Sequence, residues 1–455
     1  MTQTQLSTGA RIDLARVQAY LDDAAARFGV PGAAMAVSIG DEQVIAVTGI
    51  TSTRDPLPIQ PDTTFMIASV SKTFTATVAA ILAERGILDF DRPVADYLPS
   101  VLEVPEHLRE QRAKVRVRDL FTHTAGWLGD VEVLTGEGDD ALARAVDEVL
   151  PTVPQHLEPG TQTSYNNMAL IVAGRVIEVV TGDSFENVLR DLVLEPLGLD
   201  HTFLSPGEVA NRRHGVGHYE VDGRLQPEEE WSMPRGHLPA GGISSSIADQ
   251  LAYARAHLRF LREGGQLSSA AAQEMMTPQA RLGPDQSVGT SWMLTQRPGG
   301  PLIVGHGGNA NLGTMTELYI VPELDLAVVV VATSWGGFAL VNEACDWVLD
   351  ELVGAPLSVP AVDPASDRWD DYVGTYVCGG WTFRVRRAED VLIIGIEMEG
   401  ATDLPDLDAT VVLRGDGIVS ASRPRGAVGE FVRDGDGRVV GLRSSHRYAH
   451  RTAAQ

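Results

Sequence analysis

The sequence predicts an α+β fold: an antiparallel sheet flanked by helices, an all-helical subdomain, and a small all-β domain at the C-terminal end. Three observations carry this prediction. Strand-like runs lie at both ends of residues 1–354, helical periodicity fills the stretch between them, and a proline-rich segment then precedes a series of short β-rich runs punctuated by Asp-Gly turns.

Residues 17–28 carry the period of an amphipathic helix. After the Val30-Pro31-Gly32 turn, residues 33–39 and 43–49 form a hairpin. Residues 73–86 are helical, with Phe74, Val78, Ile81 and Leu82 as an apolar stripe and Gly86 just past the end. The helical pattern returns in 168–181, 185–192 and 247–262, separated by Pro/Gly-rich connections. Residues 302–304, 315–321 and 326–333 are β-rich at hairpin spacing, and 338–352 is helical again. One sheet built from both ends is therefore expected. Residues 355–368 contain three prolines and read as a linker between units 1–354 and 369–455. Strands are expected at 372–376, 381–385, 391–396, 410–413, 429–432 and 439–444, enough for a small barrel or sandwich.

A net charge of −25 with no basic patch excludes nucleic acid and anionic membranes as partners, while 44% hydrophobic residues describe an ordinary globular chain. Cys345 and Cys378 are too few for a disulfide framework or a thiolate metal site. Residues 1–11 lack the plan of a secretory signal and no apolar run reaches membrane-spanning length, so the expected compartment is the cytoplasm.

Only two lysines, Lys72 and Lys114, stand among the 36 basic residues. Arginine stays protonated in proteins, whereas a desolvated lysine amine loses its proton and can act as a base. Lys72 follows Ser69 by one helical turn, so hydroxyl and amine share a face if a helix begins near Ser69. The free N–H groups of a helix start also favour a developing oxyanion. Lys114 lies among charged residues and is expected at the surface.

Tyr165-Asn166-Asn167 is the only Tyr-x-Asn in the chain. Its bland reading is a turn and an N-cap. Its functional reading makes Tyr165 a phenolic base with a pKa lowered by the field of Lys72, and has Asn167 hold the lysine and a substrate carbonyl. Gly305-His306-Gly307-Gly308 lies between two β-runs, where its glycines either make a hairpin turn or let a substrate backbone approach. His123 is expected to be structural, and the pairs His214/His218 and His446/His450 are expected on solvated surface, since neither has the neighbours of a metal site. Gly-x-Ser-x-Gly, phosphate-binding and dinucleotide-binding glycine patterns are absent, and no metal or cofactor is required.

In order, Ser69-x-x-Lys72, Tyr165-x-Asn167 and His306-x-Gly308 resemble the three active-site motifs of the serine β-lactamase and penicillin-binding-protein superfamily. The likeness is greatest to its branch of class C β-lactamases, D-alanyl-D-alanine carboxypeptidases, esterases and penicillin-binding-protein-type thioesterases. Phe65-Met66-Ile67-Ala68, residues 119–126, Glu195-Pro196-Leu197-Gly198-Leu199 and residues 240–245 are similar to stretches common there. The resemblance covers about residues 15–352 and implies a β-lactamase/transpeptidase-like catalytic domain, followed by a lipocalin-like barrel of the kind some members append. It further implies substrate contacts from Gly307 and Gly308, and an oxyanion hole made by the backbone N–H groups of Ser69 and Asn309. Where many β-lactamases have Lys-Thr-Gly, this chain has His306-Gly307-Gly308. The cation that grips a β-lactam carboxylate is therefore weakened, and efficient β-lactamase activity is not expected.

The expected mechanism has Lys72 and Tyr165 take the proton of Ser69, which attacks a carbonyl to form an acyl-enzyme, with His306 tuning the phenol or binding substrate. The substrate is a small molecule or peptide, free or carried on a carrier protein. The leading reading is hydrolysis of an ester or amide of a peptide-like, D-residue substrate. One alternative is a transacylase, or a thioesterase that cyclises or releases a nonribosomal peptide; another is a catalytically silent binding module. The C-terminal unit is expected to shape substrate access without donating a catalytic group.

Overall fold

The computed structural model describes residues 12–228, 233–296, 300–310, 313–353, 361–399, 408–421 and 427–452. The reading of residues 1–11 and the first part of the linker lie outside the described residues. One antiparallel sheet of eight strands runs in the order Glu42–Gly49, Gly32–Ile39, Leu326–Ala332, Thr314–Val321, Leu302–Ala310, Met293–Gln296, Gln286–Val288, Ala280–Arg281. It joins both ends of the first unit, as the discontinuous pattern predicts.

Alternation along these strands divides two cores. Ala34, Ala36, Val329, Val331, Leu318 and Ile320 face the helical subdomain, whereas Ala33, Met35, Val328, Val330 and Tyr319 face the helices Leu14–Arg27 and Gly337–Trp347. The strand Leu326–Ala332 is buried at every residue, which is why it reads as an unbroken apolar run. Helix Ser71–Glu84 is buried from Ser71 to Leu82 and forms the middle of the larger core. Its threonines belong there because their hydroxyls are satisfied: Thr73 and Thr77 donate to the Val70 and Thr73 carbonyls, each at 2.8 Å. Among the described residues no helix is long and apolar enough to cross a membrane.

The C-terminal unit is a closed antiparallel barrel of eight strands between Gly374 and Arg451, with its own core around Tyr376, Phe383, Leu392, Leu413 and Leu442. Two of its strands, Gly417–Ser420 and Arg447–Arg451, are not marked in the sequence. The first is short. The second carries Arg447, His450 and Arg451, polar residues that hide its alternation. Leu128 of the first unit packs against the barrel core, beside Gly379.

Other departures are local. Leu302–Ala310 continues six residues beyond its expected end, so His306 sits within a strand, opposite Leu318, rather than in a turn. Its glycines are tolerated because neighbours press closely: a Cβ on Gly305 would meet the Leu318 carbonyl oxygen at 2.3 Å. His218 is buried rather than solvated, its Nδ1 bonded to the Thr333 carbonyl and its Nε2 accepting the Thr53 N–H. Lys114 is exposed and paired with Glu110.

Phe74, on the helix that carries Lys72, stacks on Tyr253 of helix Ile247–Glu263 with ring centroids 3.8 Å apart, and both are fully buried. Phe74→Ala should cost about 3 to 5 kcal/mol in urea unfolding through the cavity left between the two helices.

Candidate active site

Ser69 lies in a single 3-10 turn, Ala68–Val70, that leads into helix Ser71–Glu84. Ala68 has φ +46°, a left-handed conformation that costs a non-glycine residue about 1 to 2 kcal/mol. The turn is held by the Ile67 N–H on the Ile243 carbonyl and the Ile243 N–H on Ser71 Oγ, at 3.0 and 3.2 Å. One turn on, Lys72 is fully buried. Its Nζ lies 3.0 Å from Ser69 Oγ and donates to the Ala240 carbonyl at 2.6 Å. Burial drives its pKa down to about 7; the opposing fields of Asp130 and Arg447 are smaller.

Tyr165 closes the other side. Its ring lies 4.9 Å from Lys72 Nζ, and its hydroxyl is close enough to Ser69 for that serine to pull its pKa down. Burial pushes its pKa above the ordinary phenol value, outweighing Ser69 and the Arg447 charge that pull it down. The expected lowering by Lys72 fails because the amine gives up its proton near pH 7, far below the range in which the phenol titrates.

Both readings of the Tyr-Asn-Asn segment hold, on different residues. Asn166 is the N-cap of helix Asn167–Thr181, accepting the Ala169 N–H at 2.8 Å, and its own N–H is given to His123 Nδ1 at 3.2 Å. Asn167 does not hold the lysine: its amide goes to Asp130 Oδ1 at 2.9 Å, while Lys72 is engaged by Ser69 and Ala240.

His306 faces Tyr165 with ring centroids 6.1 Å apart. Its Nδ1 lies 2.6 Å from the Gly307 carbonyl, its Nε2 is buried without a partner among the described residues, and burial drives its pKa down to about 3, so it is neutral near pH 7. Gly308 packs under the serine turn, where a Cβ would meet the Ile67 carbonyl oxygen at 2.2 Å; Asn309 follows on the same strand, opposite Met315.

Four participants escape sequence reasoning. Asp130 binds Asn167 and forms an ion pair with Arg447, whose guanidinium carbon lies 5.2 Å from the Tyr165 ring centroid. His446, expected in solvent, is half-buried beside Gln286, and its carbonyl accepts the Tyr165 N–H at 2.9 Å. Arg447 and His446 belong to the barrel, and no spacing in the sequence relates them to residues some 280 positions earlier. The Ala240 carbonyl is a backbone contact and equally silent. Among the described residues no group of His, Cys, Asp and Glu could hold a metal ion.

The chain belongs to the β-lactamase family, which it matches over residues 17–349, within the superfamily of serine β-lactamases and penicillin-binding proteins. Members of this family are serine hydrolases. The sequence is 31% identical to penicillin-binding protein 4 of Amycolatopsis lactamdurans over 360 residues, which span 76% of this chain and 93% of that one. Among solved structures it is similar to SurE, with TM-score 0.73 and 26% identity over 96% of this chain and 98% of that one, and SurE has also been crystallised with D-Leu. It is also similar to the D-amino acid amidase of Ochrobactrum anthropi SV3 complexed with L-phenylalanine, with TM-score 0.61 and 25% identity over 73% and 97% of the two chains.

Gly308→Ala should leave the fold intact by circular dichroism but lower kcat/KM by about 10²-fold, because only a shift of the Ser69 turn relieves contact with a backbone carbonyl. Gly435→Ala, which meets nothing within 4 Å, is the control.

Proposed function

We propose that the protein is a serine acyl-transfer enzyme that forms an acyl-enzyme on Ser69 and hydrolyses an ester or amide of a peptide-like substrate containing a D-residue. The observation that carries this reading is the fully buried Lys72 amine, with a pKa near 7, at 3.0 Å from Ser69 Oγ. The Ala240 carbonyl takes one N–H of the neutral amine, which leaves its lone pair for the Ser69 proton. As Ser69 Oγ bonds to the substrate carbonyl, that proton passes to Lys72. Tyr165, kept protonated by burial, gives its proton to the leaving group and takes one back from the Lys72 ammonium beside its ring, since the acylated Ser69 Oγ no longer carries a proton. The Ser69 and Asn309 N–H groups receive the oxyanion. His306, neutral, packs near the Tyr165 ring and supplies no cation for a β-lactam carboxylate. Likeness to a protein crystallised with D-Leu and to a D-amino acid amidase supports the D-residue.

Transfer of the acyl group to an amine is the second reading. Asp130, the carboxylate whose charge reaches Lys72 and Tyr165, is tied to Arg447 and Asn167, so deacylation falls to Lys72 and Tyr165, which activate an amine as readily as water.

A fluorophosphonate should label Ser69, and Ser69→Ala should abolish labelling and turnover; labelling of another serine would refute the assignment. Lys72→Arg should lose activity nearly as fully as Lys72→Ala, about 10²- to 10⁴-fold, since arginine restores charge but cannot accept the proton.

The pH profile has a fixed sign. Lys72 acts as the free amine, so kcat/KM should rise with pH through about 7 and level above it. A rate that falls across that range would assign the cationic form instead. With an activated D-amino acid ester, millimolar amine or peptide acceptors should divert product from acid to amide if transfer occurs; wholly hydrolytic product over a broad acceptor panel would leave hydrolysis alone.

A further inference from the structure

The loop that carries Tyr165 is bonded to the barrel at three consecutive residues. The Thr163 carbonyl accepts Arg443 Nε at 3.2 Å, Ser164 Oγ accepts the Tyr448 N–H at 3.2 Å, and the Tyr165 N–H donates to the His446 carbonyl at 2.9 Å. All three barrel residues lie on one hairpin, formed by strands Val439–Ser444 and Arg447–Arg451. Arg443, 2% exposed, is the buried anchor of this hairpin. It also donates to Gln162 Oε1 at 2.7 Å and is ion-paired with Glu430. Glu430 in turn holds Arg281 of the sheet edge, and the Arg281 carbonyl accepts Thr163 Oγ1 at 2.6 Å. Thr163 is thus gripped from both sides, by the sheet and by the barrel.

A domain that only narrowed the cleft would touch its rim. These bonds instead fix the main chain of one loop immediately before the phenol. Hydrogen bonds on successive residues remove the rotational freedom that each residue otherwise keeps, about 1 to 2 kcal/mol of conformational entropy apiece. A loop ordered in advance does not have to be ordered during the reaction.

We propose that the C-terminal barrel is a positioning element of the active site: through Arg443 and its hairpin it fixes Thr163, Ser164 and Tyr165, and so sets the phenol at Ser69. The inference rests on the proposed role of Tyr165 in the acyl transfer. Arg443 is a positioning residue, since it touches the loop and not the reacting atoms.

The test uses the full-length enzyme, a small activated ester, and hydrogen exchange of the peptide spanning residues 161–167. Arg443→Met should lower kcat about tenfold or more with KM changed less than about twofold, and should speed exchange in that peptide while the barrel strands stay protected. Arg443→Lys, which keeps one donor, should fall between. If Arg443→Met does not fold, Ser164→Ala is read in the same way. Wild-type kcat and wild-type exchange in a folded variant would overturn the proposal. Exchange is measured without turnover, so it decides this inference even if wild-type Ser69 fails to react with the fluorophosphonate, an outcome that would sink the reading of function instead.

Discussion

The site is organised around an amine buried where water cannot reach it. An unfolded chain holds the Lys72 proton up to about pH 10, whereas the folded chain releases it near 7, so at pH 7 folding is opposed by roughly 4 kcal/mol at this one residue. The sign follows from the depressed pKa: the native state binds fewer protons between those values, and this opposition fades as pH rises from 7 towards 10. The rest of the core has to offset it. The double-sided sheet, the fully buried helix and the Ala240 carbonyl together keep the amine dry and aimed, and the strained Ala68 holds the hydroxyl within its reach.

Much of the architecture is legible because burial leaves a period in the sequence. The helix 167–181 shows it, the strand 326–332 shows instead the unbroken apolar run of a strand buried on both faces, and Gly86 and Gly182 sit just past their helices with φ of +70° and +74°. What escapes is whatever the tertiary context decides. The strands Ala280–Arg281 and Gln286–Val288 at one end of the sheet are too short to show alternation, and Gly305 to Gly308 look like a turn until the neighbouring backbones that require glycine are known. At the site, Ser69, Lys72 and Tyr165 are marked by their spacing and by the scarcity of lysine. Asp130 and Arg447 are not, because an ion pair joining residues from two units leaves no periodic trace. Asn167 was legible as a residue but not in its bond, since a helix start offers several partners and only the fold selects Asp130.

The charged groups around the phenol are arranged so that little net charge reaches it. Arg447 lies over the ring and Asp130 neutralises Arg447, while His306, His123 and His446 are all held neutral by burial. Lys72 and Tyr165 are thereby the groups of this cluster left to exchange protons. The same arrangement reverses the expected relation between them: burial, and not a neighbouring cation, sets both pKa values, one downward and the other upward.

The turn that delivers His446 has a consequence for how this enzyme can change. Ser444 pairs with Arg447 across a two-residue turn whose residues, Ser445 and His446, have φ of +47° and +63°. Asn-Gly suits such a turn far better, and each left-handed residue other than glycine costs about 1 to 2 kcal/mol. A design guided by thermostability alone would rewrite the turn as Asn-Gly. The contact with Tyr165 would survive that change, because it is made by the main chain, but the imidazole against Gln286 would be lost. The stability of this corner and the side chain at residue 446 are thus separable from the main-chain bond that holds Tyr165.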